Sequence, residues 1–257
     1  FALGCEADTY STNREEFALD VSADRQKPIV SVRGALIQNT ENAVVQSTET
    51  GTVYLVRTSV AVSTPANIKG AADNLWNSVN IIFPDTNTDL PATGLADGTY
   101  KAYAEDPTGN ISIASTNSVT IDSTAPTANL TAVTDNVGNI TGTLSSGDYT
   151  DDTALVLSGT NESGSVVIVY NGTTELGYAT VSGTSWSYTA TVANGTTYQF
   201  NVKETDLAGN TSDVTSNFTV TGDTTVPSVT LNAGNLNASD SAVVQSSETG
   251  TVYLIRE

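Results

Sequence analysis

The sequence predicts an all-β protein built from successive β-sandwich domains of about 100 residues each. Short runs in which apolar and β-branched residues alternate with polar ones, such as 52–57, 165–170, 198–202 and 217–221, are typical of half-buried strands. Turn-forming residues interrupt the chain about every 8–15 residues, which is close to the spacing expected in a sandwich. The third observation is an internal repeat, which sets the domain length.

Three dipeptides predict where strands reverse direction. Asn171-Gly172 and Asn194-Gly195 have the composition of tight hairpin turns, because Gly accepts a positive φ, and Asp97-Gly98 is similar. We therefore expect a hairpin at each of them. One segment departs from the strand pattern: residues 65–79, PANIKGAADNLWNSV, predict one or two helical turns inserted in the first domain.

The repeat defines the domain organisation. Segments 42–57 and 241–256 differ at only three of 16 positions and lie 199 residues apart. A D-x-x-x-P motif also occurs three times, about 100 residues apart, beginning at Asp24, Asp122 and Asp223. These repeats predict four parts of a tandem array, in which both ends of the sequence fall inside domains. The parts are the closing strands of a preceding domain (1–24), a first complete domain (25–123), a second complete domain (124–224) and the opening strands of a further domain (225–257).

The charge distribution excludes several classes of function. The chain has 28 acidic and 9 basic residues, a net charge of −19, which disfavours binding to nucleic acid or to an anionic membrane surface. It has no His, which excludes Ser-His-Asp catalysis and His-ligated zinc. No apolar run is long enough to predict a membrane-spanning helix. We expect no enzymatic activity.

The acidic residues recur at equivalent positions in the repeats. Asp106 and Asp206 begin two D-x-x-G-N turns, and Glu49, Glu162 and Glu248 each precede a Gly by two residues. Strand-end loops of a sandwich cluster at its two ends, and Ca2+ prefers six to eight hard oxygen ligands. The pattern therefore predicts Ca2+ sites where one domain meets the next. The alternative is a solvated acidic surface that keeps the protein soluble.

We predict metal ligands among the repeated acids and the acids next to them. The second domain has 15 additional residues between its proline and Glu162. A further site is suggested in this stretch by Asp135, Asn136, Asp148, Asp151 and Asp152. The full set of predicted metal ligands is Glu6, Asp8, Asp24, Glu41, Glu49, Glu105, Asp106, Asp122, Asp135, Asp151, Asp152, Glu162, Glu204, Asp206, Asp223, Asp240 and Glu248.

Both complete domains contain motifs of a known family. In the second domain these are DNVG (135–138), TDDT (150–153), LSG (157–159), ESG (162–164), SWS (185–187) and DLAGNTS (206–212). In the first domain they are ETGTVYLV (49–56), AADNLWN (71–77), TGLADGTYKA (93–102), and Asp106 with Gly109-Asn110. The second domain resembles the bacterial Ig-like domains repeated in giant RTX-type and Bap-like adhesins, and the first resembles a companion repeat of the same proteins. The resemblance covers about residues 25–257.

The resemblance implies tandem Ig-like β-sandwich domains arranged as an elongated rod, with Asp122 at the exit of the first domain and Ca2+ at the domain junctions. The function it implies is a structural extender of a bacterial surface adhesin involved in cell adhesion and biofilm formation. Such a protein is extracellular and secreted by the type I route, and its partners are neighbouring repeats and, through other domains, a host, cell or surface ligand.

Two other functions stay open. A glycan- or protein-binding module would use the 65–79 insertion, and a filament subunit would assemble head to tail through its incomplete end domains. Trp76, Trp186, Tyr100 and Tyr198 are of the kind that stacks on carbohydrate. An aromatic residue in an alternating strand is more often part of the core, however, and we expect these four residues there.

Overall fold

The computed structural model describes residues 24–138, 141–232, 234, 237 and 240–255. Almost every regular element in these residues is a β-strand. The chain divides near residue 120 into two compact units. The first unit contains the described residues up to Ala35 and Asn39–Thr120, and the second contains Leu36–Gln38 and the described residues from Ile121 onward. The predicted Glu6 and Asp8 ligands lie outside the described residues.

The predicted first domain, residues 25–123, contains eight strands in two sheets. The strands are β1 (Val30–Val32), β2 (Ala35–Ile37), β3 (Asn42–Ser47), β4 (Gly51–Arg57), β5 (Trp76–Ile81), β6 (Thr88–Pro91), β7 (Gly98–Glu105) and β8 (Val119–Ile121). One sheet has the order β1-β3-β6 and the other has the order β2-β8-β7-β4-β5. Strand β7 shows the alternation that the sequence predicts, because Tyr100, Ala102 and Ala104 are buried and the residues between them are less so.

The predicted helical insertion is present, and it covers one face of a strand. Helix α1 (Pro65–Lys69) is followed by a 3₁₀ turn (Asp73–Leu75). Strand β4 is buried on both faces, and Tyr54 and Val56 on one of them pack with Ile68 of α1. The insertion therefore forms a small second core on the outer face of this sheet.

The second complete domain is a sandwich of two five-stranded sheets. Its strands are β9 (Ala132–Asp135), β10 (Gly142–Thr143), β11 (Asp148–Thr150), β12 (Ala154–Thr160), β13 (Val166–Asn171), β14 (Thr174–Tyr178), β15 (Thr180–Ser182), β16 (Ser185–Thr191), β17 (Thr197–Thr205) and β18 (Phe218–Gly222). The orders are β10-β9-β12-β16-β15 and β11-β18-β17-β13-β14. Leu157 and Trp186 of the first sheet share one core with Val169, Phe200 and Val202 of the second, as the apolar alternation predicts.

The repeat is visible in the pairing of strands. Strand β19 (Val229–Leu231) pairs with β20 (Val244–Ser246), with Val229 opposite Ser246. Val30 of β1 lies opposite Ser47 of β3 in the same register, 199 residues earlier. The near-identical sequences therefore fold into the same local pairing.

Only one of the three predicted hairpins is present. Asn171-Gly172 connects the paired strands β13 and β14, with Gly172 at a φ of 59°. The other two predictions are wrong. Asn194-Gly195 connects β16 to β17, which lie in different sheets, and Asp97-Gly98 leads into β7 from β6, which also lies in the other sheet. The same tight-turn chemistry serves here to carry the chain from one sheet to the other.

The core interpretation of the aromatic residues is confirmed for two of them. Tyr100 and Trp186 are buried, and their polar atoms donate to the main-chain oxygens of Ala96 and Asn129. Trp76 and Tyr198 are half-buried. Their rings lie against those of Tyr54, at a centroid distance of 5.8 Å, and Phe200, at 5.5 Å.

Candidate cation-binding site

Three predicted ligands converge in the first unit. Asp24, Glu49 and Asp106 each offer a carboxylate oxygen, and these oxygens all lie within 4.8 Å of one another. Asp24 lies in the segment that enters β1, Glu49 lies in the turn between β3 and β4, and Asp106 follows β7 directly. In the described part of the chain, this is the one group of three potential metal ligands with such spacing. We call these three residues the acidic triad.

The D-x-x-G-N loop holds the Asp106 side chain in place. Its Oδ1 accepts hydrogen bonds from the backbone N–H groups of Thr108 (2.8 Å) and Asn110 (2.9 Å), and its Oδ2 accepts one from Asn110 Nδ2 (2.7 Å). Asn110 Nδ2 also donates to the main-chain oxygen of Asp24 at 2.8 Å. The Asn110 side chain thus fixes both the Asp106 carboxylate and the backbone of Asp24, which carries another carboxylate of the triad.

A glycine brings the Glu49 turn against the end of β7. Gly51 has a φ of 141°, and a Cβ atom there would overlap the main-chain oxygen of Glu105 and press on Cα of Asp106. Only glycine combines this backbone conformation with so close an approach. The E-x-G motif therefore places Glu49 beside Asp106 because its glycine lets the two strands meet.

The triad carboxylates respond differently to their surroundings. Burial raises the pKa of Glu49, and the negative charges of Asp24 and Asp106 raise it further. Burial alone would raise the pKa of Asp106 too, but hydrogen bonds from Asn110 and Thr108 outweigh burial and hold that pKa below its usual range. Asp106 is thus held in its charged form, and Glu49 experiences the repulsion.

The triad fits a hard divalent cation. Ca2+ binds oxygen ligands at about 2.3–2.6 Å, so two ligands of one ion lie no more than about 5 Å apart. The 4.8 Å limit on the triad oxygens satisfies this condition. All three donors are carboxylates, which Ca2+ and Mg2+ prefer over softer metals.

The second unit repeats the loop but not the triad. Asn210 donates to both carboxylate oxygens of Asp206 at 2.8 Å, and its Nδ2 donates to the main-chain oxygen of Asp122 at 3.0 Å. However, Glu162 is exposed, and its backbone N–H donates to Oε1 of Glu204 at 2.6 Å. Asp122, Glu162 and Asp206 do not meet the spacing of the first group.

The predicted site around 135–152 is a hydrogen-bonded loop. Asp135 and Asp152 are buried, and they accept hydrogen bonds from Thr150 Oγ1 (2.6 Å) and from the N–H of Ala154 (2.7 Å). Asp151 is exposed, and the three do not form a triad. The two buried carboxylates fix the loop that precedes β12.

The structure does not bring the remaining predicted ligands into the triad. Glu105 accepts hydrogen bonds from the hydroxyl of Tyr54 and from Nζ of Lys69, the latter at 3.0 Å. Asp223 and Glu248 line a cavity of about 470 Å³ together with Asp135 and Asp151. The two others, Glu41 and Asp240, are exposed.

Sequence reasoning missed the residues that organise the triad. Asn110 and Gly51 are not cation ligands, yet they orient Asp106 and admit Glu49. The signal was present, because the Asn of D-x-x-G-N recurs as Asn210 with the same hydrogen bonds.

The fold and loops define a class of protein: tandem β-sandwich domains with acidic, hydrogen-bonded turns at strand ends. Residues 127–224 match the family model described as a bacterial Ig-like domain. This match supports the Ig-like part of the resemblance for the second domain. The RTX and type I secretion features remain predictions.

Further comparisons give more distant similarities. The chain is 31% identical over 172 residues to chitinase A1 of Niallia circulans, which covers 63% of this chain and 23% of that protein. The chain thus spans about a quarter of the length of that curated relative. Among the described residues, no helix is long and apolar enough to cross a membrane.

Two solved structures are similar at low identity. Fibronectin(III)-like modules of Clostridium thermocellum CbhA align with 76% of this chain and 94% of their own, at 15% identity and a TM-score of 0.35. The BSP domain of a biofilm-associated protein aligns with 78% of this chain and 30% of its own, at 18% identity and a TM-score of 0.24. With TM-scores below 0.5, these two similarities support no conclusion about function.

Proposed function

We propose that this chain belongs to the extender region of a large bacterial surface adhesin, in which Ig-like domains hold an adhesive part away from the cell. Ca2+ bound at the domain junctions would stiffen this region. Two observations support the proposal: the bacterial Ig-like match of residues 127–224 and, above all, the convergence of the acidic triad. The chain is proposed to be extracellular, with neighbouring repeats as its immediate partners.

The triad links three separate parts of the chain. Asp24 belongs to the D-x-x-x-P motif that enters the first domain, whereas Glu49 and Asp106 belong to loops of that domain. Asn110 already ties the Asp24 backbone to the Asp106 loop. Bound Ca2+ would neutralise the three carboxylates and join them through one ion. The entering segment would then be restricted, with a Kd of about 10⁻⁴ to 10⁻³ M, the range of extracellular modules.

The test compares Ca2+ with EDTA. In millimolar Ca2+ we expect a higher melting temperature than in EDTA. We also expect small-angle scattering to give a narrower distribution of radii of gyration. Glu49→Gln should remove both effects of the triad, because it lowers the triad's negative charge. The matched control is Glu175→Gln, which neutralises an exposed acid on β14. Identical melting and scattering in EDTA and in Ca2+ would contradict the proposal.

The geometry gives less support to a ligand-binding module. Its best candidate was Trp76, but the ring is half-buried against Tyr54 and its Nε1 atom is buried. An aromatic ring that stacks on a sugar presents an open face, which this packing restricts. Binding of a glycan that is lost in Trp76→Ala, with the fold intact, would restore this alternative.

A further inference from the structure

Among the described residues of the second unit, three buried side-chain oxygen atoms have no hydrogen-bond partner. They are Oε2 of Glu204, Oδ1 of Asn161 and Oδ1 of Asn201. The Glu204 side chain is 0% exposed and Asn161 is 8% exposed. Buried polar groups are nearly always paired, so each such atom indicates a missing partner.

Glu204 and Asn161 meet at the turn 161–165. Glu204 extends from β17 and accepts, through Oε1, the backbone N–H of Glu162 at 2.6 Å. Asn161 directly precedes Glu162 in the chain. Asn161 Nδ2 donates to the main-chain oxygens of Glu162 (2.6 Å) and Gly183 (3.3 Å). Because these carbonyls can only accept, the orientation of the amide is fixed and Oδ1 is the atom left over.

The missing partner must be positively charged or a donor. A carboxylate oxygen and an amide oxygen are both acceptors, so they cannot satisfy each other. A fully buried carboxylate with one oxygen unpaired is destabilising, and a bound cation would relieve this cost.

The first unit shows that this carboxylate is not required by the fold. Ala104 occupies the position of Glu204, and the backbone is held in the same way in both units. The N–H of Ala104 donates to Ser112 Oγ at 2.9 Å, and that of Glu204 donates to Ser212 Oγ at 3.0 Å. The glutamate is therefore an addition to a common backbone frame.

We propose that Glu204 and Asn161 hold a second divalent-cation site in the second unit, with Glu204 Oε2 and Asn161 Oδ1 as ligands. Hard oxygen donors of this kind suit Ca2+. The site goes beyond the proposed function, because it is separate from the acidic triad and uses a different ligand set. A cation bound at this site would stabilise the turn 161–165 inside the second unit.

The test uses the 257-residue chain and Ca2+ alone as the probe. The backbone amide of Glu162 is the local reporter in ¹H–¹⁵N spectra, because it is bonded to the other oxygen of the Glu204 carboxylate. We expect Ca2+ to shift this amide signal. Glu204→Gln should abolish the shift and remove one bound Ca2+ per chain in calorimetry, without lowering the melting temperature in EDTA.

Two further variants separate the possible outcomes. Glu49→Gln changes only the triad and should leave the Ca2+ response of Glu162 intact, so the failure of either site is seen independently. Glu204→Ala places the first unit's residue on the same backbone and should match Glu204→Gln. An unchanged Ca2+ stoichiometry in both Glu204 variants would overturn the proposal. The proposal would also be overturned if the Glu162 amide signal of the unmodified chain did not change with Ca2+ but changed with pH. In that case a protonated Glu204 would itself supply the missing hydrogen-bond donor.

Discussion

At the scale of single residues, the acidic triad depends on amides as much as on carboxylates. Asn110 and Asn210 make equivalent hydrogen bonds to Asp106 and Asp206, and each also binds a main-chain oxygen of a junction Asp. At Asp106, hydrogen bonds from Asn110 and Thr108 hold the pKa of the carboxyl below its usual range, although burial alone would raise it. This arrangement orients the carboxylates of two predicted cation ligands.

Removal of the Asn110 amide should weaken both the loop and the proposed cation site. Asn110→Ala deletes hydrogen bonds to the Asp106 carboxylate and to the Asp24 backbone. We expect a loss of about 1.5–3 kcal/mol in the free energy of unfolding, the range for hydrogen bonds to charged groups, together with weaker Ca2+ binding. Denaturant unfolding measures the first effect and calorimetry the second. Thr116→Ala, at an exposed loop position of the same unit, is the control; an equal loss in both variants would refute the assigned role.

The pKa of Glu49 predicts a dependence of stability on pH. Because its folded-state pKa is raised, the folded form favours the protonated carboxyl, and Glu49 adds stability as the pH falls through that raised pKa. Asp106 acts in the opposite direction: its contribution is present above its unfolded pKa, about 3.9, and is lost as the pH falls through its lowered folded pKa.

Melting curves in EDTA between pH 7 and pH 4.5 test the sign for Glu49. We expect the unmodified chain to gain stability relative to Glu49→Gln as the pH falls through this window. In saturating Ca2+ the difference should reverse, because protons compete with the cation for the same oxygen. A difference between the two proteins that is independent of pH in EDTA would contradict this electrostatic account.

The sequence predicted the members of the acidic triad better than it predicted their geometry. Asp24, Glu49 and Asp106 were predicted because equivalent acids recur, but spacing alone does not determine which loops meet at one end of a sandwich. Position 204 faces inward in the alternation of Phe200, Val202 and Glu204, and this was a readable signal for a buried acid. That Glu204 contacts the backbone of residue 162 depends on tertiary packing and was not readable.

At the scale of elements, strand ends position the site. The E-x-G turn can approach the end of β7 because Gly51 has no side chain. Strands and the helical insertion were predicted from residue patterns. Two of the three hairpins were wrong because turn residues encode a reversal of the chain, whereas the sheet that the next strand joins is set by packing of the core.

Substitution of this glycine should disrupt the strand pairing at the site. Gly51→Ala adds a Cβ that overlaps the Glu105 main-chain oxygen at a positive φ. We expect a loss of about 3 kcal/mol, combining backbone strain with overpacking. Gly94→Ala is the matched control, because Gly94 also has a positive φ, 82°, but its Cβ would meet nothing within 4 Å. Chemical denaturation gives both values, and equal losses would show that backbone strain alone acts at Gly51.

At the scale of the whole molecule, the repeat organises the negative charge. The net charge of −19 is distributed in part over loops that recur about every 100 residues. In the first unit three of these acids converge, and in the second the same loop framework carries a buried glutamate instead. One backbone frame thus supports two different arrangements of carboxylates, and the central claim is that the first of them binds Ca2+.

The most direct measurement is a crystal structure of the chain grown in millimolar Ca2+, with anomalous data collected at long wavelength. The account predicts an anomalous peak among Asp24, Glu49 and Asp106, with carboxylate oxygens about 2.3–2.6 Å away. The peak should be absent in crystals of Glu49→Gln or in crystals soaked in EDTA. The account would be contradicted if crystals that contain Ca2+ showed ordered density for the three triad carboxylates but no anomalous signal among them.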